Sequence, residues 1–305
     1  KGKNTIMRIV HRVTGLLPRS IDVAIRFRPR WSGILVVDGK VARVYDALAT
    51  KLKPGTFSDD ELRWLHKMRW LCGVDHGTGD LPHYALADSE GKIDLVLYFE
   101  GLKKAGFPLK ALVCDGNPDI PRAARLVFGD GIVIQRCVRH FLEDLRRLLP
   151  PLGNGARPAL EATIARIRLV LMAETVEAAS ARFDELSAFI REMRHPVART
   201  MAAALDRHKH ELCAHLLHPH LDIPRTSNDA ESLFKQLNLR LRSLGRFFHH
   251  RYAEDYLNAW ALLRRFTPFT DCRGGRRHRN GKTPLELAGC DIDNIDPFTL
   301  RKQTP

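Results

Sequence analysis

The chain has no run of 18 apolar residues, which excludes an ordinary transmembrane helix. Its first twenty residues, KGKNTIMRIVHRVTGLLPRS, lack the unbroken apolar centre of a secretory leader. They also lack an initiator Met, so a piece of something longer is expected. Six cysteines, at positions 72, 114, 137, 213, 272 and 290, form no Cys-x-x-Cys pair and no framework spacing. That argues for reduced thiols in a cytosolic or nuclear setting. Carboxylates are scarce: 35 Asp and Glu face 49 Lys and Arg, a net charge of +14 and a pI near 9.8. A chain this basic is expected to meet a polyanion, nucleic acid above all, although basicity alone also fits a protein with no such partner. What is present is a normal apolar share, 44% of 305 residues, enough for the core of one large domain or two smaller ones. No internal repeat is visible.

Hydrophobic periodicity divides the chain. Residues 1–30 read as a basic helix and linker. SGILVVDGKVARVY (32–45), RWLCGVDHGTG (69–79) and PHYALADSEG (82–91) read as strands, with HGTGD as a hairpin turn between the last two. KIDLVLYFEGLKKAGF reads as an amphipathic helix with Ile93, Val96, Leu97 and Leu102 on one side. KALVCDGNP is a short buried strand, PRAARLVFG a brief helix, GIVIQRC another strand and VRHFLEDLRRLL another helix. LPPLGNGARP (149–158) breaks the pattern, and everything from there to about 216 is helical. A helix beginning near Asn228, another over YAEDYLNAWALLRRF and a basic tail with a Pro-initiated turn complete the chain.

Three carboxylates stand out. Asp38 interrupts the apolar run of the first strand, and charged groups are rarely buried without a partner. Asp115 lies at the carboxyl end of the fourth strand, where ligand sites of open α/β sheets cluster. Each precedes a glycine, which allows another group to approach the backbone closely, although any single Asp-Gly is more often a turn. Glu231 opens a helix that otherwise carries positive charge and a stripe of Phe234, Leu237, Leu241, Leu244 and Phe248. A bland alternative treats Asn228 as N-cap and Glu231 as the third residue of a capping box. Three strands, helix, strand, helix, strand, helix, a helical unit and a late acidic helix describe a ribonuclease H-like α/β arrangement: a mixed sheet with an all-helical insertion before the last catalytic helix. In that fold strands one and four are adjacent, and three carboxylates can hold two Mg²⁺ ions for in-line phosphoryl transfer. The expected divisions are a flanking segment (1–30), core (31–149 and 221–268), helical insertion (150–220) and basic tail (269–305).

VVDGKVARV, ALVCDGNPDI, IQRCVRHF, TSNDAESLFKQLNLRLRSLGRF and GKTPLELAG, in this order, resemble the Mutator-type DDE transposases over roughly residues 31–290. The resemblance implies Asp38, Asp115 and Glu231 as the catalytic and metal-holding triad, with two Mg²⁺ (or Mn²⁺) ions as cofactor. It places the family's Cys-x-x-His pair on Cys137 and His140, which we expect to support the site together with Asn228. That pair could alternatively be half a zinc site completed from the His-rich HKHELCAHLLHPH (208–220). Lys235, Arg240, Arg242, Arg246, Arg273, Arg276 and Arg277 are expected to hold DNA phosphates. Full-length members usually carry a DNA-recognition module ahead of the first strand. Only about 30 residues precede it here, so end recognition is expected upstream. The expected partners are double-stranded DNA and a second copy of the chain, with no membrane, in a bacterial nucleoid or a nucleus. Two other readings remain: a catalytically silent transposase-derived DNA-binding protein, and a ribonuclease H-like nuclease or resolvase.

Overall fold

The first strand owes its place to four consecutive buried apolar residues, Ile34 to Val37, in a computed structural model that describes residues 9, 12–43, 67–149, 155–244, 247 and 250–300. For residues 40–43, 67 and 242–244 it describes the backbone course alone. In chain order the elements are α1 (Ser20–Phe27), β1 (Ile34–Arg43), β2 (Lys67–Asp75), β3 (Tyr84–Ala87), α2 (Lys92–Lys104), β4 (Ala111–Cys114), α3 (Asp119–Phe128), β5 (Val133–Arg136), α4 (Val138–Arg146), α5 (Arg157–Leu171), α6 (Val176–Met193), α7 (Pro196–Leu212), α8 (Ala214–Leu217), α9 (Asn228–Leu244), α10 (His250–Phe266) and α11 (Pro284–Leu287). The protein is α/β, and its five strands form a mixed sheet ordered β3-β2-β1-β4-β5. Among the described residues no helix is long and apolar enough to cross a membrane.

The chain divides into two compact units. The first comprises Lys1–Leu109, Asp119–Gly131 and Asn228–Pro305; the second comprises Lys110–Pro118 and Ile132–Ser227. The expected boundary near residue 150 is therefore not the boundary between them. The helix before that break, α4, packs with the ones after it. Its Val138, Phe141, Leu142 and Leu145 share one aliphatic cluster with Leu160, Ile164 and Ile167 of α5, Leu186 of α6 and Met201 and Leu205 of α7. Spacings of three and four turn all of these onto one face per helix. The second unit also holds the parallel pair of β4 and β5, joined in register from Ala111↔Val133 to Cys114↔Arg136.

In the first unit β1 pairs antiparallel with β2 from Leu35↔Asp75 to Arg43↔Lys67, and β2 pairs antiparallel with β3. The turn after β2 is closed by Asp75, which accepts hydrogen bonds from the Ser32 hydroxyl (2.6 Å), the Thr78 hydroxyl (2.8 Å) and the Thr78 amide (3.0 Å). Gly79 sits there at φ +71°, and a side chain at that position would run into Phe269 at 2.7 Å. Asp80 follows, fully buried. Arg265 meets both of its oxygens at 2.8 Å, and the Trp31 indole donates to one of them at 2.8 Å.

One expected feature changes and one is found as expected. In α2 the buried residues are Leu95, Tyr98, Phe99 and Leu102, while Ile93 and Leu97 are 77% and 64% exposed. The aromatic pair 98/99 carries more apolar area than Ile93 and Leu97, so it sets which stripe faces inward. The Pro-initiated turn near the end is α11, with Pro284 at its first position and a full capping box between Thr283 and Glu286.

Candidate functional site

Asp38 lies within β1, directly opposite Cys72 of β2. Cross-strand partners point to one face, and so do residues two apart along a strand. Asp38, Cys72 and Trp70 therefore share a face. Trp70, fully buried, packs edge-on against Phe234 of α9 (centroids 5.8 Å) and Trp260 of α10 (5.4 Å). The face bearing Asp38 is thus the one that α9 covers, and α9 packs on both β1 and β2. Burial, and then the Asp38 charge, push the Cys72 thiol well above its ordinary range, so this cysteine stays protonated. Asp38 is half-buried, and its Oδ1 accepts the Gly39 amide at 2.8 Å. On the other face, the Gly39 backbone is touched by the Glu90 side chain, so a group does approach this Asp-Gly closely, as expected.

Glu231, half-buried, sits in the first turn of α9, on that same face-covering helix. The capping box expected around it is displaced. The helix begins at Asn228, which leaves Ser227 at the cap position, Ala230 third and Glu231 fourth. Asn228 is exposed, so the support role expected of it has no buried contact behind it.

This turn also holds a side chain that local sequence pattern does not single out, Asp229. It accepts from His76 Nδ1 (2.7 Å) and from both terminal nitrogens of Arg276, one of them at 3.2 Å. Burial pushes the Asp229 carboxyl up. The hydrogen bonds of His76 and Arg276 outweigh that and hold it below the usual carboxylate range. Arg279, itself buried, donates to the carbonyls of His76 (2.7 Å) and Gly77 (3.1 Å). Arg276, one of the side chains expected to hold DNA phosphates, is half-exposed and also pairs with Asp229, since a carboxylate this buried needs a cationic partner.

The second unit holds Asp115 and the Cys-x-x-His pair. Asp115 follows β4 directly, is half-buried, and accepts the Asn117 amide at 2.9 Å in a local turn. Beside it, a side chain at Gly116 would meet the Arg136 guanidinium at 2.6 Å, the second close approach expected of an Asp-Gly. Arg136 stands over the Phe141 ring (5.7 Å), within 3.4 Å of the His208 ring nitrogens and 4.0 Å from Asp144. His208 also meets Glu211 at 3.5 Å. None of these partners was anticipated, because they come from β5, α4 and α7 and have no common sequence signature.

Cys137 and His140 come together with Ser227. The Ser227 amide and hydroxyl each donate to the Cys137 sulfur at 3.3 Å, and the hydroxyl lies 3.5 Å from His140 Nδ1. Burial raises the Cys137 thiol, but hydrogen bonds from His140 and Ser227 overcome it and bring it down to about 7. The His-rich stretch does not complete a zinc site with this pair. His208 is engaged with Arg136 and Glu211, and His215 with Gln135 at 3.1 Å.

Of the other expected phosphate contacts, Lys235, Arg240, Arg273 and Arg277 are exposed. The Arg242 side chain, Arg246, and Leu244 and Phe248 of the apolar stripe lie outside the described residues. Compared with protein-family models the chain matches none, and compared with curated proteins it again has no match.

Proposed function

We propose that the chain is the catalytic core of a DNA transposase, built on a ribonuclease H-like fold, which cleaves DNA and joins strands with the help of Mg²⁺. The observation that carries this reading is the packing of α9 on β1, which brings the element of a mid-strand aspartate against that of a helix-opening glutamate within one unit. The order of elements agrees: three antiparallel strands, a parallel strand-helix-strand, a set of helices, and then α9. Asp115 follows directly on the carboxyl end of β4, which supports reading it as the second carboxylate.

The donor set suits the ion. Asp38, Asp115 and Glu231 offer carboxylate oxygens, which Mg²⁺ prefers, and each is half-buried, so water still reaches it. When bound, Mg²⁺ supplies Lewis acidity and an activated water. The chain's own work is then positional. The Gly39 amide orients the Asp38 carboxylate and the Asn117 amide that of Asp115. Lys235, Arg240, Arg273 and Arg277 hold phosphates and fix the register of the strand without reading its sequence. No side chain acts as a covalent nucleophile. The chain works as a pair with double-stranded DNA, one copy for each transposon end.

The test is nicking of supercoiled plasmid DNA with Mg²⁺ or Mn²⁺, followed by strand-transfer assays. Asp38→Asn, Asp115→Asn and Glu231→Gln should each abolish cleavage while DNA retention on a filter persists. Cleavage that survives Asp38→Asn sinks the reading. Nicks without joined products would indicate a nuclease, and binding without any nicking would indicate a silent DNA-binding descendant.

A further inference from the structure

The first unit carries an open groove of about 900 Å³ between α9, α10 and the chain that follows α10. Its walls include Arg240, Tyr256, Trp260, Arg264, Phe269 and Phe298. None of the three candidate catalytic carboxylates lines it. Tyr256 and Trp260 are four apart on α10 and so present their rings one above the other. One edge of Trp260 anchors on buried Trp70, while the residue as a whole stays half-buried. Arg264 continues the same row, its guanidinium over the Phe269 ring at 4.4 Å, which adds a positive charge to this wall. Phe298 is 45% exposed at the rim, and Leu239 is 61% exposed beside Arg240.

Tyr256 and Trp260 anchor on Phe247 and Trp70 and stay half-exposed, and ring area left in water is costly unless a ligand covers it. The charge tells what covers them. The chain is net +14, two arginines flank the rings, and Asp271 is the one carboxylate among the lining residues. A polyanion is drawn to that wall, but a duplex presents only base edges in its grooves and keeps its base faces stacked. An unpaired strand can offer both phosphates and base faces. We propose that this groove binds an unpaired stretch of nucleic acid, its bases stacking on Tyr256, Trp260 and Phe298 and its phosphates meeting Arg240 and Arg264.

The binding stands apart from the metal chemistry, so the experiment is run in EDTA. Intrinsic tryptophan emission is followed while an oligo-deoxythymidine of about 12 nucleotides, within the usual site size, is added to the whole chain. A duplex of equal length serves as control. The single strand should quench the emission saturably and bind more tightly than the duplex. Phe298→Ala should weaken binding about tenfold. Trp260→Phe keeps a stacking ring and should retain binding while losing the quenching. Circular dichroism and thermal melting of each variant establish that it folds. The proposal is overturned if the duplex binds as well as the single strand, if Phe298→Ala changes nothing, or if quenching survives Trp260→Phe.

Discussion

The two units of this protein solve the same packing problem with different chemistry. Every charged side chain buried among the described residues, namely Asp75, Asp80, Asp255, Arg265 and Arg279, belongs to the first unit. Among its described polar residues the second unit buries Gln135, Thr163 and Ser227, and its helices meet through an aliphatic cluster. The first unit is assembled from three separate stretches of chain, the second mostly from consecutive helices. Apolar contacts are strong but undirected, and they suffice where neighbours in sequence are neighbours in space. Where stretches some 185 residues apart must meet in one register, as Asp80 and Arg265 do, bidentate ion pairs and buried hydrogen bonds supply direction.

Breaking the Asp80–Arg265 pair should produce the largest effect. Arg265→Ala leaves a fully buried carboxylate without its cation and should cost about 4–5 kcal/mol in urea unfolding. Replacing both partners with apolar residues of similar size, Asp80→Leu with Arg265→Met, should recover most of that loss. If the double variant is as unstable as the single one, the pair is not the source of the penalty.

In the helical unit the matching experiment is Ile167→Ala, which opens a cavity in the aliphatic cluster and should cost about 3–4 kcal/mol. The cost should be the same at pH 5 and pH 7, because no charge lies in that cluster. A clear pH dependence would break the contrast drawn between the units.

The first unit should also be acid-sensitive through His83. Its ring stacks on Tyr98 (5.6 Å) and Tyr84 (6.2 Å), contacts Ser20 through Nδ1 (3.0 Å) and is held against the backbone at Gly101. Burial lowers its pKa to about 4, so as pH falls the unfolded chain takes up its proton first. The stability present above about pH 6.5 is therefore lost progressively toward pH 4, by about 3 kcal/mol for this group. His83→Gln should flatten part of that slope in unfolding curves recorded across the range. His215, lowered to about 4 by burial, contributes in the same direction from the second unit and will leave some slope behind. The smallest effect expected is that of Thr283→Ala at the cap of α11, about 1 kcal/mol in thermal melting, because one backbone amide loses its partner.

Much of the architecture is legible in the residue pattern. The apolar run of β1, the turn at HGTGD and the helical stretch after the break at 149–158 all appear where the residue pattern places them, since burial writes itself into the order of apolar residues. The close approaches at Gly39 and Gly116 are foreseeable from the Asp-Gly pairs, although the approaching groups, Glu90 and Arg136, are not. Periodicity assigns the wrong face of α2 because counting apolar residues weighs Ile93 like Tyr98, whereas buried area does not. Asp229 escapes notice for a different reason. Beside Glu231 it looks like an ordinary first-turn acid, and only the arrival of His76 from the turn after β2 and Arg276 from the tail makes it the hub of its turn.

By itself, then, the sequence determined which segments become strands and helices, the excess of positive charge, and the carboxylates worth considering, because these depend on local spacing and composition. Tertiary structure alone decided that Arg276 serves Asp229, that Arg265 serves Asp80, that α4 joins the helical cluster, and that a row of half-exposed rings faces an arginine-flanked groove. The two ion pairs join residues 185 and 47 positions apart in the chain. A side chain's partner follows from which surfaces meet when the core closes, and no local pattern encodes that.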